Sequence, residues 1–436
     1  MIEVRDGIHG SIPIHPHELP IIESRYFQRL RQIKQLGFSE YSFPNATHNR
    51  YTHSLGTMHI TGQVWDAILG QTPFQISLAR FRPLVRLAGL LHDVGHGPLS
   101  HTTEFAMPEV SDLDPTGKIL TQRRDQKATH EDYTLKIILD SSLSPLIEKA
   151  GLSQTSRFKP IHVAALIDPG IQIEDDFFYE KGIHFRPILQ QLISSEIDAD
   201  RMDYLRRDSL FAGVSYGQFD FSWLVSNLTF HVTQGQCYLA LQHRALYTFE
   251  DFLISRFHMF SMVYFHHKSV IYDEILARYL HSPDCNYFIP TDIEAYCDYH
   301  DAHLFEHLTH SSNAWARRIV EKKPYPLLIE LHSGIPATPS AQKEQERLLI
   351  QTQNQLREQK IDFITSKSTS ELSKYFKNIL TESPEIHSTV DPIFVRYDNH
   401  YSPVTFIPLH ECTDLFHRYQ EKRSITRLYA STNTST

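Results

Sequence analysis

Cysteine is scarce in this chain: Cys237, Cys285, Cys297 and Cys412 are the only four in 436 residues, and no CxxC pair occurs. That excludes a disulfide framework and a cysteine-based zinc site, and it suits a reducing compartment. Long apolar runs are missing as well. None approaches the ~18–20 residues of a membrane span, and residues 1–6 (MIEVRD) lack the basic segment and apolar stretch of a secretory signal. The expectation is a cytoplasmic protein with no membrane partner. Positive charge is in deficit, with 42 Lys plus Arg against 51 Asp plus Glu and a net charge of −9. A field of that sign argues against nucleic acid as a partner, although a local basic patch can still hold a phosphate. Hydrophobic residues at 41% and charged residues at 21% give a globular balance. Collagen-like, coiled-coil and wholly disordered chains are thereby excluded.

The periodicity is mainly helical. Residues 1–24 carry Gly7, Gly10, Pro13, Pro16 and Pro20 between short β-type pieces, which predicts a small hairpin or extended arm. Apolar residues at three- and four-residue spacing predict helices over 24–36, 52–69, 83–92, 130–139, 162–167, 186–210, 222–228 and 246–281. Residues 107–128 are polar and aperiodic, an excursion or loop. Residues 232–241 alternate around Gly235 as a hairpin would. Beyond residue 285 the texture changes, with a polar amphipathic helix over 340–359, short strands at 361–365 and 393–396, and a Ser/Thr/Asn tail from about 430 that should fray. The expected fold is mainly α: a helical core over 1–284 with a short N-terminal β arm, and a smaller α+β region over 285–436.

Histidine is abundant, with 27 residues. Most should be surface or packing residues, so position decides. The strongest local signal is the apolar run 87–91 (LAGLL) passing directly into His92-Asp93 and a glycine-rich turn at Gly95 and Gly97. Neighbouring residues on a helix point about 100° apart, so this pair needs ligands from elsewhere in the chain. His53, in RYTHSLG, and Asp200, in IDADRMDY, are the candidates. Two imidazoles and two carboxylates suit Mn²⁺, Mg²⁺, Fe²⁺ or Zn²⁺ with coordination positions left open. Asp200, Tyr204 and Asp208 are spaced four and four, one stripe along a helix with Arg201 beside it. Met202 and Leu205 supply a separate buried face.

The segments 6–16 (DGIHGSIPIHP), 27–37 (FQRLRQIKQLG), 43–56 (FPNATHNRYTHSLG), 87–101 (LAGLLHDVGHGPLSH), 130–131 (HE) and 197–208 (IDADRMDYLRRD) together resemble the HD-domain phosphohydrolases. Within that family they are most similar to the deoxynucleoside triphosphate triphosphohydrolase branch. A weaker echo lies at 264–268 (YFHHK). The resemblance implies an HD-domain helical core and a divalent metal held by His53, His92, Asp93 and Asp200. It implies phosphate contacts from Arg50 and Arg201, sugar contacts from Tyr204 and Asp208, and exclusion of a 2′-hydroxyl by Gln35 and Leu36. It places His96, His101 and His130 around the α-phosphate with Glu104, which stands where the family has aspartate. Phe265 and Lys268 would line the substrate side, while Phe257 stands where an arginine is expected. Gln28 and Arg31 match an effector-nucleotide site in regulated members, which assemble as homo-oligomers; Glu23 stands there in place of an aspartate, and Ile2 replaces a phosphate-binding lysine.

The reaction implied is metal-assisted attack of water on the α-phosphate of a dNTP, releasing deoxynucleoside and triphosphate, with His101 protonating the leaving 5′-oxygen and His130 and Glu104 orienting it. Two other readings share these residues. One is an HD-type nucleotide phosphomonoesterase or phosphodiesterase; the other is a non-catalytic nucleotide sensor.

Overall fold

The computed structural model describes residues 2–72, 75–153, 157–333, 338–370, 391–399, 401–415 and 423–431. A mainly helical core carries a short strand pair at its N-terminus and small sheets toward its C-terminus, as the sequence leads one to expect. In the arm, strands Ile2–Asp6 and Gly10–Ile14 pair antiparallel, with Ile2 opposite Ile14. The Asp6 carboxylate accepts the N–H groups of Ile8 and His9 at 2.9 and 3.0 Å and so fixes the turn. Ile12 and Ile14 are buried, which docks the arm on the core.

Two helices frame the site. Arg50–Leu69 starts at Asn49, whose side chain accepts the Thr52 N–H at 3.1 Å. Phe81–Leu91 packs against it with nearly every residue buried. Arg86, inside that second helix, is sequestered from water and held by both oxygens of Glu18, at 2.6 and 2.9 Å. The helix Ala199–Ala212 closes the third side. It can approach because Gly56 has no side chain: a Cβ there would sit 1.9 Å from Asp203 Oδ1.

Three helices expected to be continuous are interrupted. The segment 24–36 is helical only over Arg25–Arg29, tightening to a 3₁₀ turn over Leu30–Gln32. Residues 33–35 are drawn straight because the Arg50 N–H donates to the Ile33 carbonyl and the Gln35 N–H to the His48 carbonyl, each at 3.0 Å. The segment 186–210 divides into Arg186–Gln191 and Ala199–Ala212, since Asp198 turns its carboxylate to the N–H groups of Ser195 and Arg201 and begins a new helix. The segment 246–281 divides into Leu246–Met259, a π-helical turn Phe260–Tyr264, and His267–Leu280, which His266 caps. The excursion at 107–128 is ordered: Glu109 bridges Lys127, and Asp114 accepts the N–H groups of Ile119 and Leu120.

Downstream, Gln236–Gln242 pairs antiparallel with Leu228–Thr233 and parallel with Phe394–Asn399, which in turn carries Ser402–Pro408. A separate antiparallel sheet has Arg423–Ala430 between Leu327–His332 and Phe363–Ser370. The polar helix Pro339–Glu358 lies against it through Leu349 and Leu356. Buried residues on both sides of residue 284 belong to one core cluster, Tyr279 and Leu276 with Tyr287, Tyr296 and Leu304. Ala430, the start of the expected fraying tail, is the buried end of a strand; residues 432–436 lie outside the described residues. Among the described residues no helix is long and apolar enough to cross a membrane.

Candidate active site

The end of Phe81–Leu91 delivers His92 and Asp93, the first turn of Arg50–Leu69 delivers His53, and the first turn of Ala199–Ala212 delivers Asp200. They converge. His53 Nε2 lies 3.0 Å from Asp200 Oδ1 and 3.5 Å from Asp93 Oδ2, and His92 Nε2 lies 3.4 Å from Asp93 Oδ1 and 3.5 Å from Asp200 Oδ1. The imidazole orientations are set from behind. His53 donates its Nδ1–H to Asp203 at 2.8 Å, and His92 donates its Nδ1–H to the Gly89 carbonyl at 2.9 Å. Each Nε2 is then left with its lone pair turned inward, buried and without a hydrogen-bond donor.

Two inward lone pairs facing two carboxylates repel one another unless a cation lies between them. Where no cation lies between them, a proton on His53 answers the same demand. Burial opposes charge on His53, yet Asp200 and Asp203 raise it to about 10. Burial likewise opposes ionisation of Asp93, but Arg50, His92 and His96 hold its carboxyl well below the usual range. The donor set therefore fits a divalent metal, and His53, His92, Asp93 and Asp200 are the residues that could hold one.

Around this centre opens a cleft of about 520 Å³. Arg50 pairs with Asp93 and donates its Nε–H to the Ser100 hydroxyl at 2.8 Å. Arg201 lies on the wall, 3.0 Å from Glu196, and its positive charge is strengthened by Glu196 and Asp198 despite burial. The Asp200–Tyr204–Asp208 stripe lines the cleft with Gln35 and Leu36. Asp208 is buried between His48 Nε2 and the Tyr264 hydroxyl, each at 2.7 Å. His96 and His130 stack at 3.8 Å between ring centroids, with His101 edge-on to both. Glu104 joins His101, at 3.0 Å, to His130. Although burial works against it, these two imidazoles lower the Glu104 carboxyl to about 2. His96 is pushed well below the ordinary histidine range, first by burial and then by Arg50 and His130.

Phe265 and Lys268 are not on this wall. The π-helical turn carries Tyr264 into the cleft instead, and Arg256 lines it where Phe257 marked the place of an expected arginine. Both of these lining residues sit one position earlier than the resemblance suggests. Asp203 also escaped assignment, although it lies inside the DADRMDY run; it falls off the four-residue stripe and points back at the His53 helix. Asp273, lifted by burial to about 7, is a further wall residue with no signal in the sequence. Away from the cleft, Gln28 and Arg31 are joined at 2.8 Å, the Arg31 guanidinium lies 3.6 Å over the Tyr51 ring, and Glu23 is exposed.

Residues 50–208 match the HD domain, and residues 219–327 match the HD associated region. An uncharacterized protein of Bacillus subtilis, YwfO, is 32% identical over 279 residues, covering 64% of this chain and 54% of that protein. The human deoxynucleoside triphosphate triphosphohydrolase SAMHD1 is 34% identical over 238 residues, covering 50% of this chain and 34% of that protein. The chain thus spans about half the length, or less, of these relatives. A crystal structure of a hypothetical protein from Aquifex aeolicus matches with a TM-score of 0.72 at 26% identity, over 98% of this chain and 96% of that one. All four candidate ligands fall within the first matched region, and the chain carries an HD domain followed by an HD associated region.

Proposed function

We propose that this protein is an HD-superfamily phosphohydrolase that cleaves deoxynucleoside triphosphates into deoxynucleoside and triphosphate. The observation that carries the reading is the pair of inward, donorless Nε2 atoms of His53 and His92 facing Asp93 and Asp200, two carboxylates that line one cleft with three arginines. The similarity to a human triphosphohydrolase supports the choice of substrate.

His53, His92, Asp93 and Asp200 would hold a divalent cation, which would supply Lewis acidity toward the substrate phosphate and its attacking water. The rest is the work of the chain's own groups. Arg50, Arg201 and Arg256 neutralise the triphosphate, most strongly where the cleft excludes water. Tyr204, Asp208 and Tyr264 meet the sugar and its 3′-hydroxyl, while Gln35 and Leu36 crowd the 2′ position. His101 stands at the mouth, its side chain 66% exposed, and donates a proton to the leaving 5′-oxygen; Glu104 holds both it and His130 in place. Glu23, Gln28 and Arg31 belong to the same reading as an effector-nucleotide site in a homodimer or homotetramer. Four unpaired thiols agree with a cytoplasmic setting.

The test is product chromatography after incubation with each dNTP and each rNTP plus Mn²⁺ or Mg²⁺, beside an Asp93→Ala control. Deoxynucleoside with intact triphosphate, absent in the control, is the expected result. Cleavage of no dNTP, with or without a second nucleotide, removes the reading and returns the metal centre to another phosphate ester.

A further inference from the structure

The loop that follows the ligand pair runs from His92 to Ser100 and ends in two consecutive left-handed residues, Leu99 at φ 54° and Ser100 at φ 60°. Neither is glycine and both are buried. L residues hold such a conformation only where their surroundings fix it. Two of the groups that fix it come from the HD associated region. The Tyr296 hydroxyl donates to the Gly95 carbonyl at 2.8 Å, and Asp301 Oδ1 accepts the Leu99 N–H at 2.7 Å. The other oxygen of Asp301 accepts the Lys34 N–H at 2.9 Å. The Lys34 carbonyl in turn accepts from the Ser100 hydroxyl at 2.9 Å, and that hydroxyl receives Arg50 Nε–H.

Asp301 is the first residue of the helix Asp301–His310, where an acidic side chain ordinarily serves its own helix. Here the His300 side chain accepts from that helix, at the His303 N–H, and the Asp301 carboxylate turns to two distant segments. It is 6% exposed, and among the described residues it forms no ion pair within 4 Å. Lys34 and Arg29 favour its charge from farther off, but the donors that fix its two oxygens are the two backbone N–H groups.

We propose that Asp301 is a positioning residue: its two oxygens tie Leu99 to Lys34, so that Ser100 holds the Arg50 guanidinium in place for substrate phosphate. This deepens the proposed phosphohydrolase reading and rests on it. Asp301 touches neither substrate nor metal and acts through Ser100 and Arg50.

Full-length Asp301→Asn, Ser100→Ala and the double variant test the idea. Asparagine keeps one acceptor and sets an NH₂ against the second N–H. The expected result for Asp301→Asn is a KM for dNTP raised about tenfold with kcat changed less than about twofold, the signature of lost binding. Metal per chain should stay as in the wild type. Because both substitutions cut one path, the double variant should be no worse than the poorer single one. Hydrogen exchange of residues 97–102 should quicken in Asp301→Asn and stay near wild type in Asp301→Glu, which keeps both acceptors. An unchanged KM in Asp301→Asn, multiplied losses in the double variant, or unchanged exchange at 97–102 each overturns the proposal. If the wild type cleaves no dNTP, the function reading fails by itself, and the exchange measurement still decides whether Asp301 holds the loop. Should Asp301→Asn not fold, Asp301→Glu and Ser100→Ala carry the comparison.

Discussion

Asp203 is the side chain on which the site's geometry turns. Wholly buried, it accepts from His53 Nδ1 at 2.8 Å, from His9 Nε2 at 2.6 Å and from both ends of the Arg207 guanidinium. Burial opposes its ionisation, but Arg207, His53 and His9 hold it well below the usual carboxylate range. Asp203→Asn should therefore fold yet bind Mn²⁺ about 10–100-fold more weakly, because the His53 ring loses the partner that fixes its tautomer. Metal titration followed by electron paramagnetic resonance reads this, and unchanged affinity would sink the orienting role. Glu18 offers a contrast far from the cleft. Glu18→Gln strands the buried charge of Arg86 and should cost about 3–5 kcal/mol in urea denaturation, with metal binding by the folded fraction intact. At this scale the convergence of His53, His92, Asp93 and Asp200 is legible because these residues recur in motifs. What depends on which way a side chain faces is not legible, as with Asp203 behind His53, or Tyr264 rather than Phe265 on the cleft wall.

Among the elements, the helices that could be read from periodicity are those whose ends are written locally. Arg50–Leu69 begins at an asparagine cap, and Phe81–Leu91 stops at a glycine-rich turn. The segments 24–36, 186–210 and 246–281 kept their apolar spacing but not their continuity. The first break comes from partners elsewhere in the chain, the His48 carbonyl and the Arg50 N–H, whereas the other two are set locally by the caps at Asp198 and His266. One turn is especially constrained. A Cβ on Gly95 would stand 2.2 Å from the His130 carbonyl oxygen and 2.3 Å from the Thr134 backbone nitrogen, neither of which can swing aside. Gly95→Ala should push the ligand loop away from the His130–Leu139 helix. The expected outcome is a lower melting temperature together with loss of the stacked His96, His101 and His130 cluster, visible as a weakened pH response of turnover; a variant with wild-type melting would contradict the crowding.

At the scale of the whole molecule, the histidine count has a cost that composition alone does not reveal. Burial is the leading cause that lowers His15, His17, His59, His162, His231 and His300, with His59 brought down to about 4. A histidine whose folded value lies below its unfolded 6.5 takes up its proton more readily in the unfolded chain. Stability is then fully present above about pH 6.5 and falls as pH drops toward 4. Melting temperature measured across that interval should decline steadily, well before ordinary carboxylates titrate; a flat profile down to pH 5 would mean these rings are hydrated. The order of the chain adds a temporal consequence. All four candidate ligands have been synthesised by residue 200, whereas Asp301 follows about a hundred residues later, on the order of 5–20 s at ordinary elongation rates. A nascent chain can thus gather its cation while Arg50 is still unbraced, and the ribosome releases the last strut of the catalytic pocket only after the pocket's floor is laid.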